Sequence, residues 1–265
     1  MNKKNTMEIV FIFMLILITV FIMSNILMIF FKGAPHILEV ISSEETRFSM
    51  KMSISTATIS TLITMFFAVP SGYILERRDF LGKNIVSAVL EIPLSLPYLV
   101  LGVCLLTLFA SDFGKMLRNA GLPVVFHRNG IVFAQLLVNL PFAVSMVRST
   151  VSDINPKLEF AARNLGASDW YVFHSIVLAM CRQSLLSIGL VCWSRAIGEF
   201  GATLMLVGVT RMKTETLPGS IYLNISTGNN EFAMATALLL LIIALLVQIT
   251  SRYLARSNAA IHRKG

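Results

Sequence analysis

Predominantly apolar stretches occupy 9–31, 52–75, 85–110, 130–148, 183–208 and 232–251, with most of the charge confined to the gaps between them. Crossing a hydrocarbon core about 30 Å thick takes roughly 20 apolar residues at 1.5 Å each, and all six runs come close to or exceed that length. The pattern therefore predicts an all-α polytopic membrane protein with six transmembrane helices, organised as one domain over 1–265. The first run follows MNKK as a secretory signal would. It exceeds the ~7 to 15 residue core of such a signal and no A-x-A site follows, so it is expected to stay as a helix.

Composition agrees with the pattern. The chain is 55% apolar and 14% charged, with a mean hydropathy of +0.75, which excludes an ordinary soluble domain. The net charge of +8 comes from short clusters between apolar runs, without the aromatic-interleaved basic stripe of a nucleic-acid surface, so no nucleic-acid partner is expected. The charge instead orients the chain. Of 22 Lys and Arg, 12 fall on the side of the N-terminus, 8 on the other, and Arg182 and Arg195 lie in or beside a span. The positive-inside rule then puts both termini in the cytoplasm. Cys104, Cys181 and Cys192 have no metal or redox spacing and read as small buried hydrophobes. The four histidines have no ligand spacing either, and no metal site is expected.

That orientation places the polar stretch 149–182 in the cytoplasm and the stretch 209–231 outside. The cytoplasmic stretch contains EFAARNLGASDWYVFHSIVLA, residues 159–179. Asn155 followed by Pro156 is a helix start, an N-cap with proline where its missing N–H costs nothing. Leu158, Ala161, Ala162 and Leu165 recur on one helical face, and Glu159 and Arg163 form an i, i+4 pair. Gly166 supplies the stop, and Ser168 caps a second helix beginning at Asp169. The result is a helical elbow too short and too polar to span, with small alanines on its contact face.

Glu159, Ala161, Ala162, Gly166, Ile176 and Leu178 resemble the cytoplasmic Glu-Ala-Ala loop of the membrane subunits of ABC importers. Phe160 within the Glu-Ala-Ala run and Ala179 in place of the usual proline are departures from that pattern. The resemblance implies a type I ABC importer permease core in the cell membrane. It also implies that Glu159, Ala161, Ala162 and Gly166 form a coupling helix docked on an ATPase. The chain has no G-x-x-x-x-G-K-[ST], so it is not expected to be an enzyme by itself. ATP and Mg would bind the partner ATPase and no cofactor this chain. A second copy of the chain, two cytoplasmic ATPase subunits and an external substrate-binding protein are the implied partners. Further on, RAIGEFGATLMLVG (195–208) and KTETLPGSIYLNIS (213–226) resemble molybdate/tungstate permeases, with sulfate/thiosulfate permeases as near relatives. This makes molybdate or tungstate the implied cargo of the pathway, with sulfate, thiosulfate or another oxyanion as the alternative.

Candidates for the pathway or gate come from polar residues inside the spans. Arg195 and Glu199 lie four apart in an apolar helix, where a lone charge costs about 2.5 to 3.5 kcal/mol on insertion scales. Pairing relieves much of that cost. The pair reads either as an internally neutralised structural unit or as a lining of the pathway. Gly198 and Gly201 would permit close packing or a bend, and Thr203 completes this group. Ser53, Thr56, Ser60 and Thr64 make a hydroxyl row on the second span, read as helix packing or as a polar lining. Pro93, Pro97 and Pro141 predict kinks. Glu91 sits near the cytoplasmic end of the third span. With Glu199 it also fits an ion-coupled carrier relaying protons, a reading weakened by the lack of matching internal halves.

Overall fold

The computed structural model describes residues 3–262, with side chains described from Met7 to Tyr253. Lys3, Lys4, Arg256, Arg263 and Lys264, counted above toward topology, lie outside the described side chains. Among the described residues the chain is helical throughout its ordered elements and has no strand. The order is α1 (Lys3–Gly33), α2 (Ile37–Ser42), α3 (Glu44–Arg77), α4 (Lys83–Ser95), α5 (Tyr98–Ala110), α6 (Asp112–Asn119) and α7 (Arg128–Ser152). Then come α8 (Pro156–Asn164), α9 (Asp169–Tyr171), α10 (Leu178–Gly198), α11 (Gly201–Val207), α12 (Leu217–Ser226) and α13 (Asn230–His262).

At the centre, α3 packs along the whole of α7 and the two run parallel. Thr56 meets Gln135, Gly72 lies against Val147, and Glu76 pairs with Arg148, so sequence position rises together along both helices. Gly72 is needed for this approach, because a Cβ there would sit 2.7 Å from Val147 Cγ1. Parallel neighbours require the connection between them to return across the membrane. That return is made by α4 and α5, which are not the single 85–110 helix that hydropathy predicts. They are two 13-residue helices bent by 114° at Leu96 and Pro97.

The bend has a local cause. A residue before proline is pushed out of the helical region, and Leu96 is extended at φ −94°, ψ 143°. Each half is only about 20 Å long and cannot cross alone. Together they climb obliquely: Ser87, Leu90 and Glu91 line a crevice with Ser145 and Arg148 late in α7, whereas the Phe109 ring lies 5.0 Å from Phe133 early in α7. Pro93 and Pro141 stay inside α4 and α7 without breaking them.

The fifth hydropathic run also differs from expectation. The helix starts at Asp169, passes through a π-helical segment at Val172–Val177 and continues as α10 to Gly198, so its beginning belongs to the polar stretch. It then breaks at Glu199 and Phe200, and α11 starts separately. The stretch 209–231 folds into α12, capped by the Thr216 hydroxyl, which accepts the Gly219 N–H at 3.3 Å.

The remaining contacts fix the ends. Ser187 on α10 and Ser251 on α13 share a hydrogen bond of 2.7 Å, and Gly33 at the end of α1 lies against Met234 near the start of α13. The start of α1, the end of α13 and the elbow therefore share one end of the bundle. None of the residues in the apolar stretch of α1 is buried, and α1 touches the rest of the chain through α13.

Candidate functional site

The elbow is built locally as its residues predict. The Asn155 side chain accepts the Lys157 N–H at 3.0 Å, and Pro156 is the first residue of α8. At the other end Ala167 N–H donates to Ala162 O at 3.0 Å and Gly166 N–H to Arg163 O at 2.9 Å, the two bonds of a Schellman cap. Gly166 holds the left-handed conformation that cap requires, at φ +89°. Ser168 then accepts the Tyr171 N–H at 3.2 Å and opens the helix that becomes α10.

What fixes the elbow to the bundle is not visible in the local pattern. The Glu159 side chain is 2% exposed and points inward. Its Oε1 accepts from Arg77 Nε at 2.6 Å and its Oε2 from the Tyr73 hydroxyl at 3.0 Å, both near the end of α3. The expected Glu159–Arg163 pair exists at 3.5 Å but is the longest of the three. Arg77 in turn donates through Nη2 to Val151 O and Ile154 O, tying in the end of α7. Arg163 and Arg78 both reach Asp169, at 2.7 and 3.0 Å, which secures the start of the last arm. The Tyr73 ring packs 4.9 Å from Phe173 in the π-helical segment. Four segments thus meet at one charge cluster. Removing one partner of a buried pair of this kind costs about 3 to 5 kcal/mol.

With Glu159 turned inward, the outward face is apolar. Leu165 is 90% exposed and Trp170 72%, with Phe160, Leu158, Tyr171 and Ala161 also exposed and Ala162 half-buried beside Gly166. Of the four coupling candidates, Ala161, Ala162 and Gly166 belong to this surface, and Glu159 belongs to the anchor beneath it. Tyr73, Arg77 and Arg78 were not singled out from sequence. Their only signal is a basic pair closing an apolar run.

The second site lies halfway along the bundle. Arg195 and Glu199 are not paired with each other, which corrects the expectation of a neutralised i, i+4 unit. The helix ends between them: Glu199 is 3% exposed and its carboxylate accepts the Ala202 N–H at 2.7 Å, the Thr203 N–H at 3.2 Å and the Thr203 hydroxyl. A carboxylate on the free N–H groups of a helix start is favourable, and Glu199 makes this contact where α10 has ended and α11 begins. Arg195 instead donates Nε to Asn139 Oδ1 at 3.2 Å and Nη2 to the Tyr98 hydroxyl at 3.1 Å, with its guanidinium 4.5 Å from the centre of the Phe142 ring.

Asn139 is itself held by donating to Cys192 O, and Gln135 one turn earlier donates to Ala196 O at 2.9 Å. These two amides at i, i+4 in an apolar helix are the signal sequence reasoning passed over. The two chain breaks adjoin at this level. A Cβ on Gly102 would sit 2.6 Å from Ala202 O, which excludes a larger residue there, and one on Gly201 would come within a tight 3.1 Å of Tyr98 Cβ. Gly198 has no such neighbour.

The hydroxyl row is not part of this face. Ser53, Thr56, Ser60 and Thr64 are all buried inside one subunit. Ser53 accepts the Leu217 N–H at 2.8 Å, Thr56 meets Gln135, and Ser60 bonds back to Ala57 O. These three contacts are internal to the bundle. Glu91 is exposed on α4 beside the Glu76–Arg148 pair.

The family described as "Binding-protein-dependent transport system inner membrane component" matches residues 62–259, from the middle of α3 into α13. The chain belongs to this family. Within it, the chain is 37% identical over 172 residues to the molybdate/tungstate transport system permease protein WtpB of Thermococcus kodakarensis, covering 65% of this chain. The chain spans 62% of the length of that relative. It is 32% identical over 212 residues to the molybdenum transport system permease protein ModB of Haemophilus influenzae, covering 78% of this chain and 93% of ModB. A crystal structure of a bacterial alginate ABC transporter in complex with its oligosaccharide-bound periplasmic protein superposes with a TM-score of 0.74 over 96% of each chain at 16% identity, which establishes the shared fold. This transport-system membrane component therefore shares that helical fold among its described residues, and the elbow and the Arg195 cluster are two of the places where its polar groups gather.

Proposed function

We propose that the chain is the membrane subunit of an ATP-driven importer of molybdate or tungstate. Two copies form the pathway, two cytoplasmic ATPase subunits hold the elbows, and an external binding protein delivers the anion. The cytoplasmic end of the bundle is then the end that carries the elbow and both termini. ATP and Mg act on the ATPase, and this chain supplies no reacting group. The carrying observation is the elbow: an exposed apolar knob of Leu165, Trp170 and Phe160 mounted on the buried Glu159–Arg77–Tyr73 cluster. Exposed apolar side chains rimmed by polar residues mark a protein contact, and a rigid mount lets force pass from that contact into α3, α7 and α10. The cargo rests on the names of the similar permeases and on the RAIGEFGATLMLVG and KTETLPGSIYLNIS segments. Sulfate or thiosulfate is the second reading, on the same segments. An ion-coupled carrier is disfavoured because Glu199 is committed to the start of α11.

The test is Ala162→Trp, which overfills the half-buried position beside Gly166 without touching Glu159. Membrane abundance is expected near that of the parent, with copurification of the ATPase and radiolabelled molybdate uptake in vesicles both reduced about tenfold or more. Parental copurification and uptake would remove the elbow as the coupling element.

A further inference from the structure

We infer that Arg195 supplies the positive charge that a doubly charged tetrahedral oxyanion meets halfway across the membrane. This rests on the import of such an anion proposed above, and it adds the residue that selects for charge. Its depth follows from its partners: Asn139 and Phe142 lie in the middle of α7, between Arg128 at one end and Arg148 near the other. At that depth a cation is ordinarily neutralised. None of the ion pairs among the described residues includes Arg195.

Every contact it does make is with a neutral group. An amide oxygen, a phenol hydroxyl and an aromatic face orient the guanidinium and leave its full charge in place. The one carboxylate near enough in sequence, Glu199, has both oxygens taken by the start of α11. One side of the cluster is open: Tyr98 is exposed and Arg195 half-buried, so the guanidinium end reaches the surface of the subunit while Asn139 behind it is buried. A charge kept uncompensated, aimed by three fixed neighbours and facing outward cannot rest against lipid tails. It fits the wall of a water-filled passage between two copies, where one guanidinium from each subunit opposes a charge of −2. A planar donor fork also matches the oxygen edge of a tetrahedral oxyanion.

The experiment uses the complete transporter, with binding protein and ATPase, in vesicles, and reads uptake of radiolabelled molybdate and sulfate. Arg195→Gln should lower uptake about tenfold or more, and Arg195→Lys should retain a larger share, because it keeps the charge and loses the fork. A second arm guards against a folding effect. Arg195→Cys is made in a background with Cys104→Ala, Cys181→Ala and Cys192→Ala, and treated with a thiosulfonate reagent that adds an ethylammonium or an ethylsulfonate. The ammonium adduct should restore several-fold more uptake than the sulfonate adduct. Equal uptake for both adducts, failure of the thiol to react with either charged reagent, or parental uptake by Arg195→Gln would each overturn the assignment. A parent complex that hydrolyses ATP and accumulates neither anion would overturn the importer reading and this inference with it.

Discussion

The elbow and the mid-membrane cluster hold charge in opposite ways. At the elbow, Arg77, Arg78 and Arg163 face Glu159 and Asp169, and acid and base from separate helices close on each other at 2.6 to 3.0 Å. In the middle of the bundle an arginine and a glutamate only four residues apart are kept from each other, each bound to neutral groups. The first arrangement locks four segments into one body. The second leaves a cation without an acidic partner midway along the bundle. On the proposed function the two arrangements divide the work: a rigid mount where force would enter, and an unpaired charge where the anion would pass.

The largest expected effect comes from breaking the lock. Glu159→Ala leaves Arg77, whose side chain is 10% exposed, without its carboxylate, and should lower stability by about 3 to 5 kcal/mol. A fall in the detergent melting temperature and in membrane abundance would show it. Combining Glu159→Leu with Arg77→Leu should recover part of the loss, with a coupling of about 1 to 3 kcal/mol in the double-mutant cycle. Strict additivity there would mean the elbow is held by apolar packing instead.

The same cycle run in the middle of the bundle should come out the other way. Glu199→Ala strips acceptors from the buried Ala202 and Thr203 N–H groups and should cost about 1 to 3 kcal/mol. Glu199→Gln keeps one carbonyl oxygen and should cost less. Because the two side chains do not touch, Arg195→Gln with Glu199→Gln should be additive in stability within about 0.3 to 0.5 kcal/mol. A coupling comparable to the Glu159–Arg77 value would erase the contrast between the two regions.

The comparison also separates what sequence reveals from what it hides. The elbow was legible because its boundaries are set by neighbours: Asn155 and Pro156 open it, Gly166 stops it and Ser168 reopens it, each acting within about four residues. Its mount was not, because Tyr73 and Arg77 bond Glu159 across 86 and 82 residues. Hydropathy placed the spans but missed both breaks for one reason. Apolar content runs on through Leu96 and through Phe200, whereas the chain turns according to local backbone chemistry. Pro97 gave a readable sign of a kink, though not of a 114° turn. Glu199 gave the wrong sign, since an acid four residues after an arginine reads as its partner until the N–H groups of α11 are seen to take it. The hydroxyl row was ambiguous because a serine stripe looks alike whether it meets another helix or water.

The smallest effect sharpens the comparison within the elbow itself. Gly166 and Gly82 both sit in the left-handed region, at φ +89° and +87°, and a Cβ added at either would meet nothing within 4 Å. Their alanine variants therefore differ from the parent by backbone strain alone. That strain is about 1 kcal/mol, the common cost of a β-carbon in this conformation. Gly82→Ala and Gly166→Ala should accordingly lower the melting temperature by similar, small amounts. Their effects on coupling should differ. Gly82 caps α4 and is not part of the elbow segment, whereas Gly166 sets the angle between α8 and the arm that continues into α10. A small change of that angle tilts Leu165 and Trp170 relative to the Glu159 mount, so Gly166→Ala should reduce ATPase copurification several-fold and Gly82→Ala should leave it at the parental level. Equal copurification by the two variants would show that the knob tolerates a change of pitch, and that its contact with the ATPase depends on α8 alone.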